Sequence, residues 1–179
     1  MVNPTIFKSY DIRGVYPNEL NEEAAYAIGR GFVKYTGAKK VAVGQDARLS
    51  SPALFKSLAR GITEAGANVY NLGQAPTECL YFSVGAQAFD AGIMITASHN
   101  PKEYNGFKMI KKNENSIEVI RGKDLLSAVE AGLPAQSGDF KNNIAKGAIE
   151  RKDIWPDYIK HILSFVNLEK IKNFKVAVD

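Results

Sequence analysis

The 179 residues, 45% hydrophobic and 23% charged, suffice to bury one full domain and a remainder. The net charge of +4 sits mostly at the end, since residues 1–140 carry 15 Lys and Arg against 14 Asp and Glu, and residues 141–179 carry 8 against 5. With no basic stripe interleaved with aromatics and no zinc or helix-turn-helix signature, that balance excludes nucleic acid as a partner. No apolar run approaches the roughly 18 residues that span a bilayer, and Met1-Val2-Asn3-Pro4 lacks the charged and apolar regions of a signal peptide. Those features predict a cytoplasmic protein with no membrane partner.

In chain order, PTIFKSYDIRGVYPNEL reads as a strand running into a polar loop with Ser9-Tyr10-Asp11 and Arg13-Gly14. Asn21 is an expected N-cap, Glu22 and Glu23 suit a helix start, and Ala25, Ile28, Phe32 and Tyr35 recur at helical spacing. The pattern predicts a helix over about Glu22 to Thr36, stopped by Gly37. KVAVG, Lys40 to Gly44, is a buried-strand pattern ending in the polar loop Gln45-Asp46-Ala47-Arg48. Ser50 or Ser51 is expected to cap a second helix carrying Pro52 in its first turn and Leu54, Leu58 and Ile62 on one stripe. A strand from Asn68 to Leu72, a helix from Thr77 to Ala88 and a strand from Ala91 to Ala97 follow. The single Cys79 falls in that third helix, where a free thiol acts as a small buried hydrophobe.

Alternating strands and helices over Val41 to Ala97 predict βα units, hence an α/β fold of three α/β/α layers, with a mixed, mainly parallel sheet covered by helices. Phe107 to Ile110 adds an antiparallel strand. After an exposed turn at Lys111 to Asn115 come a strand near Ser116 to Ile120 and a helix from Lys123 to Ala131. Pro134 to Lys146, rich in Gly, Ser, Asn and charge, is the expected boundary between a first domain, 1–150, and the opening helix and strand of a second, 151–179. Ile154 to Val166 has a helical pattern. Phe174 to Val178 begins another strand, and its stop at Asp179 suggests a fragment.

The stretch that carries chemistry is ITASHNPKEYNGFKMI, Ile95 to Ile110. Its first apolar run ends at Ser98, Asn100-Pro101 blocks simple continuation, and Asn105-Gly106 reads as a turn before the lysine-bearing return. Ser98 and Lys108 are equally far from Glu103, so an antiparallel return would set hydroxyl and ammonium side by side. Ligands in such sheets bind beyond the carboxyl ends of strands, which puts Arg48 and Ser98 at one edge. A Ser-His hydrolase is disfavoured, because adjacent residues in extended chain point apart and no G-x-S-x-G elbow surrounds Ser98. Ringed by Arg13, Arg48, Lys102 and Lys108, Ser98 could instead carry a phosphate of about −1.5 to −2 charge. A turn serine among solvated lysines is the alternative.

These motifs resemble those of the α-D-phosphohexomutases, the phosphomannomutases and phosphoglucomutases: TASHNP followed by NGFK, with FKSYDIRG before it and VGQDARLS between, in the family's order over essentially the whole chain. The resemblance implies that Ser98 is phosphorylated and donates its phosphoryl group, one of whose oxygens ligates Mg²⁺. It implies His99 and Lys108 as its neighbours, with Lys108 the general acid/base, and Tyr10, Arg13, Arg48 and Asn100 as groups binding substrate or phosphate. The activity implied is interconversion of hexose 1- and 6-phosphates through a sugar bisphosphate, and YDIRG points to the phosphomannomutase/phosphoglucomutase branch. Gln45 stands where the family often has arginine. The family's D-G-D-x-D-R metal loop, sugar-recognition loop and phosphate-binding loop, in its second to fourth domains, have no counterpart in the sequence. Weak or absent Mg²⁺ binding and no mutase activity are therefore expected of this chain alone. A non-catalytic phosphate-binding or regulatory module retaining the fold is the rival expectation.

Overall fold

A computed structural model of the chain describes residues 2–114, 116–131 and 145–178. The strands are β1 (Ile12–Val15), β2 (Lys40–Gln45), β3 (Asn68–Gln74), β4 (Ala91–Ile95), β5 (Tyr104–Asn113), β6 (Ser116–Ile120) and β7 (Ile149–Arg151). The helices are α1 (Glu22–Thr36), α2 (Ser51–Glu64), α3 (Thr77–Ala86), α4 (Gly122–Glu130) and α5 (Trp155–Leu163). The strands form one mixed sheet in the order β1-β5-β4-β2-β3-β7, with β6 paired to β5. The β2–β3, β2–β4 and β3–β7 ladders are parallel, and those made by β5 with β1, β4 and β6 are antiparallel.

Strand alternation divides the core into two layers. Val41, Val43, Ile93 and Phe107 turn to one face, where Ile28, Phe32, Leu54, Leu58, Ile62, Leu125 and Val129 of α1, α2 and α4 cover them. Ala42, Met94 and Ile110 turn to the other, under Cys79, Leu80 and Val84 of α3 and the buried Ile154. The three-layer α/β/α arrangement follows. Cys79 is fully buried and its burial pushes the thiol up to about 11, so it packs as a hydrophobe. Among the described residues no helix is long and apolar enough to cross a membrane.

The expected helix α1 is present with both of its stops. Asn21 Oδ1 accepts the Ala24 N–H at 3.0 Å, and Gly37 closes the helix in the left-handed region at φ 67°. It crosses α2 at close range, and Tyr26 of α1 donates its hydroxyl to Glu64 Oε2 of α2 at 2.6 Å. That bond is the largest of the influences holding Glu64 below the usual carboxylate range. A depressed carboxyl contributes stability that is present above its unfolded value, near 4.5, and lost as pH falls through the folded one. Tyr26→Phe is therefore expected to lose about 1 kcal/mol at pH 7. Urea unfolding at pH 7 and pH 3 checks this, with the deficit expected to shrink at the lower pH.

Several local expectations are corrected. The chain opens with a 3₁₀ turn, Pro4–Ile6, and the polar Ser9-Tyr10-Asp11 loop precedes β1 instead of following a strand, because the ladder to β5 starts only at Ile12. Ser50 does stand at the N-cap position of α2, but with αR backbone and no side-chain cap bond, and the Ser51 hydroxyl donates to Asp46 Oδ1 at 2.8 Å. Asn105-Gly106 makes no turn, for both residues lie within β5; a Cβ on Gly106 would come 2.2 Å from the Ile12 carbonyl, so glycine is what lets β1 approach. Lys111 to Asn113 continue β5 as well.

At the far edge, β7 extends the sheet beside β3, and Gln87 after α3 donates to Asp157 of α5 at 2.7 Å. Phe174 to Val178 forms no ladder with any described residue, and Phe174, Val176 and Val178 are exposed. The stretch expected as a boundary lies outside the described residues as far as residue 144.

Candidate active site

Because β2 and β4 run parallel, the loops leaving their carboxyl ends meet at one edge, as the sequence predicts for Arg48 and Ser98. The backbone closes the pair: Asp46 N–H donates to the Ile95 carbonyl at 3.0 Å and Thr96 N–H to Gly106 at 2.9 Å. Beyond Ile95 the chain enters a long loop before β5 resumes at Tyr104. Ser98 lies in that loop with φ 55°, the one non-glycine residue in the left-handed region among those described. Such a conformation costs an L-residue on the order of 1–2 kcal/mol and persists only where the surroundings enforce it.

The Ser98 N–H donates to Thr96 Oγ1 at 3.0 Å, and Ser98 Oγ lies 3.0 Å from His99 Nδ1. The sequence expectation that the two side chains diverge is thus wrong, and the positive φ is the reason, since divergence presumes extended backbone. The contact alone does not make a hydrolytic triad. Among the described residues no acceptor engages the other ring nitrogen of the exposed His99.

Two arginines hold this loop. Arg13, on β1, pairs with Asp11 at 2.8 Å and donates Nη1–H groups to the Ala97 carbonyl at 3.3 Å and to Asn100 Oδ1. Arg48 donates Nε–H to Asp46 Oδ2 at 3.1 Å. Its Nη1 reaches the carbonyls of Pro101 and Tyr104 at 2.7 and 2.9 Å, and its Nη2 those of Ser98 and Asn100 at 3.0 and 2.7 Å. Behind Arg48 the buried Asn105 donates to Ser50 and Ser51 hydroxyls at 2.8 and 3.0 Å, and Ser51 returns to Asp46.

Lys108 is not across from Ser98. The β4–β5 register sets it opposite Met94, so hydroxyl and ammonium are not ladder partners. Instead Lys108 lines a cleft of about 190 Å³ with Tyr10, Asp11, Arg13, Tyr81 and Val119. Arg13 is common to both groups: it borders this cleft and touches the Ser98 loop. Tyr10 is 78% exposed, and burial followed by Glu78 pushes the Tyr81 phenol upward. Ser98, His99, Asn100, Arg13 and Arg48 therefore come together, with Lys108 and Tyr10 in the adjoining cleft. Sequence reasoning missed Asp46, Ser51, Asn105 and Tyr81 as parts of the site. Only the polarity of the loop after β2 hinted at Asp46.

A family model described as phosphoglucomutase/phosphomannomutase, alpha/beta/alpha domain I, matches residues 4–132. The chain belongs to the phosphoglucomutase/phosphomannomutase family. It is 37% identical to a phosphomannomutase of Salmonella montevideo over 100% of its own length and 39% of that protein. It is 39% identical to a phosphoglucomutase of Neisseria meningitidis serogroup B, over 97% of its length and 36% of the relative's. A crystal structure of a phosphoglucomutase/phosphomannomutase family protein from Burkholderia thailandensis superposes with a TM-score of 0.77 at 33% identity, covering 95% of this chain and 38% of that one. The chain thus spans rather more than a third of the length of the relatives it matches.

Phosphohexomutases imply magnesium, and the residues in this part of the family fold do not make a site for it by themselves. The carboxylates beside the two arginines that hold the Ser98 loop, Asp11 and Asp46, are each engaged by one of them. Among the described residues no group of three His, Cys, Asp or Glu converges. What the family domain does offer is a hydroxyl beside an imidazole on a tightly held loop, next to a cleft carrying a lysine and an arginine. The cleft can hold an anion, and the hydroxyl can accept or release a phosphoryl group. The side-chain oxygen Oε1 of Gln45, at the end of β2, is buried with no hydrogen-bond partner among the described residues.

Proposed function

We propose that this chain is the phosphoryl-carrying first domain of a phosphomannomutase/phosphoglucomutase, an isomerase that interconverts hexose 1-phosphate and hexose 6-phosphate. The observation that supports this most is Ser98 itself, a hydroxyl 3.0 Å from His99 Nδ1 on a loop forced to φ 55° and backed by two guanidinium groups. In the forward half-reaction a free hydroxyl of the sugar phosphate attacks the phosphorus of phosphoserine 98. The bond from phosphorus to Ser98 Oγ breaks, and a bisphosphorylated sugar forms. The sugar then turns over in the cleft, and its other phosphate returns to Ser98. Lys108 exchanges the proton of the attacking sugar hydroxyl, and His99 serves the Ser98 oxygen. Arg13 and Tyr10 hold the phosphate of the bound sugar, where positioning and charge supply most of the catalysis.

Residues 151–179 open a second domain in this reading, and the hexose phosphate is enclosed by further domains of a longer protein acting in the cytoplasm. In the longer protein, carboxylates of those domains together with a phosphate oxygen on Ser98 would hold magnesium, which would neutralise charge on the transferring group. The 179-residue chain alone is expected to show no conversion of hexose 1-phosphate to hexose 6-phosphate in a coupled assay with magnesium and a sugar bisphosphate. Sustained turnover by the chain alone would contradict the division of labour proposed here.

A further inference from the structure

A guanidinium has five N–H donors and no acceptor. All five of Arg48 are committed inside the protein: one to Asp46 Oδ2 and four to the carbonyls of Ser98, Asn100, Pro101 and Tyr104, at 2.7–3.1 Å. The side chain is only 14% exposed. Arg13, by contrast, donates through Nε and Nη2 to Asp11 and through both Nη1–H groups to Ala97 and Asn100, which leaves it one N–H and a 27% exposed side chain facing the cleft. The two arginines, interchangeable in the sequence, are therefore different devices.

We propose that Arg48 is the positioning residue of the Ser98 loop and binds no phosphate: its guanidinium gathers four loop carbonyls and so fixes the left-handed backbone that sets Ser98 Oγ against His99. The carbonyls it gathers start at the strained Ser98 itself and run past His99 to Tyr104, so the fork holds the chain as it leaves the strained position. An ammonium in its place has three donors on a point charge and cannot span four carbonyls and Asp46 at once. Asp46 orients the fork through Nε. Ser51 in turn holds Asp46, and the buried Asn105 donates to Ser51, tying the loop to the start of α2. Any ligand oxygen that claimed an N–H of Arg48 would have to displace a loop carbonyl. The catalytic meaning of this arrangement rests on Ser98 as the phosphoryl carrier; the clamp itself does not.

The test uses the chain uniformly labelled with ¹⁵N. In the wild-type chain, titration with inorganic phosphate is expected to leave the Arg48 Nε and Nη signals in place and to shift those of Arg13. In Arg48→Lys without phosphate, the amide signals of residues 97–104 are expected to move or broaden, and the His99 ring-nitrogen signals to lose the signature of the Ser98 contact. Signals of α1 and β2 should keep their places. Asp46→Asn should move the same loop signals by less. The proposal is overturned if phosphate shifts the Arg48 guanidinium signals, or if the lysine variant keeps the wild-type pattern over 97–104. The wild-type titration decides even if a variant fails to fold. Phosphoryl uptake at Ser98 is read separately by mass, so its failure would fall on the functional reading while the loop spectra judge the clamp.

Discussion

Lys108→Met, made in the protein that carries this domain, is expected to lower kcat for hexose phosphate conversion by a factor on the order of 10²–10⁴, the usual cost of losing a positioned acid or base. Lys108 sits on β5 on the same face as Gly106 and Ile110, in the cleft that Arg13 and Tyr81 also line. It pairs with Met94 across the ladder, and in the proposed reaction its partner is a hydroxyl of the sugar in the cleft. Two roles then compete, proton exchange and simple charge. Lys108→Arg separates them, for an arginine keeps the charge and does not give up its proton. Proton exchange predicts that the arginine variant stays nearly as slow as the methionine variant, with KM close to the unmodified value. Recovery of most of kcat by arginine would reduce Lys108 to a phosphate anchor.

Gly61→Ala is expected to destabilise the fold by about 3 kcal/mol, although alanine is the better helix former by roughly 1 kcal/mol. The reason lies in the crossing of α1 and α2. A Cβ on Gly61 would sit 2.2 Å from the Tyr26 carbonyl oxygen, and one on Gly29, across the same crossing, 2.4 Å from that of Leu58. Both obstacles are backbone, so neither can swing aside. The helices must part, which loosens Ile28, Phe32, Leu58 and Ile62 together. In thermal unfolding the loss corresponds to roughly 6–12 °C for a chain of this size. The double variant with Gly29→Ala should cost less than the sum, because the first methyl group already opens the gap that the second needs. A neutral or stabilising Gly61→Ala would contradict the close crossing.

Elements whose signals are local were legible in the sequence. Asn21, Glu22 and Gly37 fixed both ends of α1 because a cap and a left-handed stop act within a few residues. The alternation of strands with helices gave the layers for the same reason, and with them the shared edge of Arg48 and Ser98. What failed depended on distant partners. The symmetric hairpin drawn about Glu103 was wrong because Arg48 gathers the loop from Ser98 to Tyr104, which makes the connection long and lopsided and moves Lys108 opposite Met94. The Ser98–His99 contact depends on a positive φ that no adjacent residue announces. Asn105 reads as a turn former, yet it is buried 54 residues away from Ser51, to which it donates. Phe174 to Val178 has a strand's composition, but a strand needs a neighbour, and no described residue supplies one.

The most direct test is the mass of the tryptic peptide 61–102 from the protein that carries this domain, after incubation with magnesium and a hexose 1,6-bisphosphate. The peptide contains both Ser83 and Ser98, so fragmentation must assign the site. Ser83 is fully buried and its hydroxyl donates to the Cys79 carbonyl, which keeps it from reacting. One added phosphoryl group is expected on Ser98, chased off by hexose 6-phosphate and absent from Ser98→Ala. Turnover with no phosphate on Ser98, or the same turnover in Ser98→Ala, would contradict it.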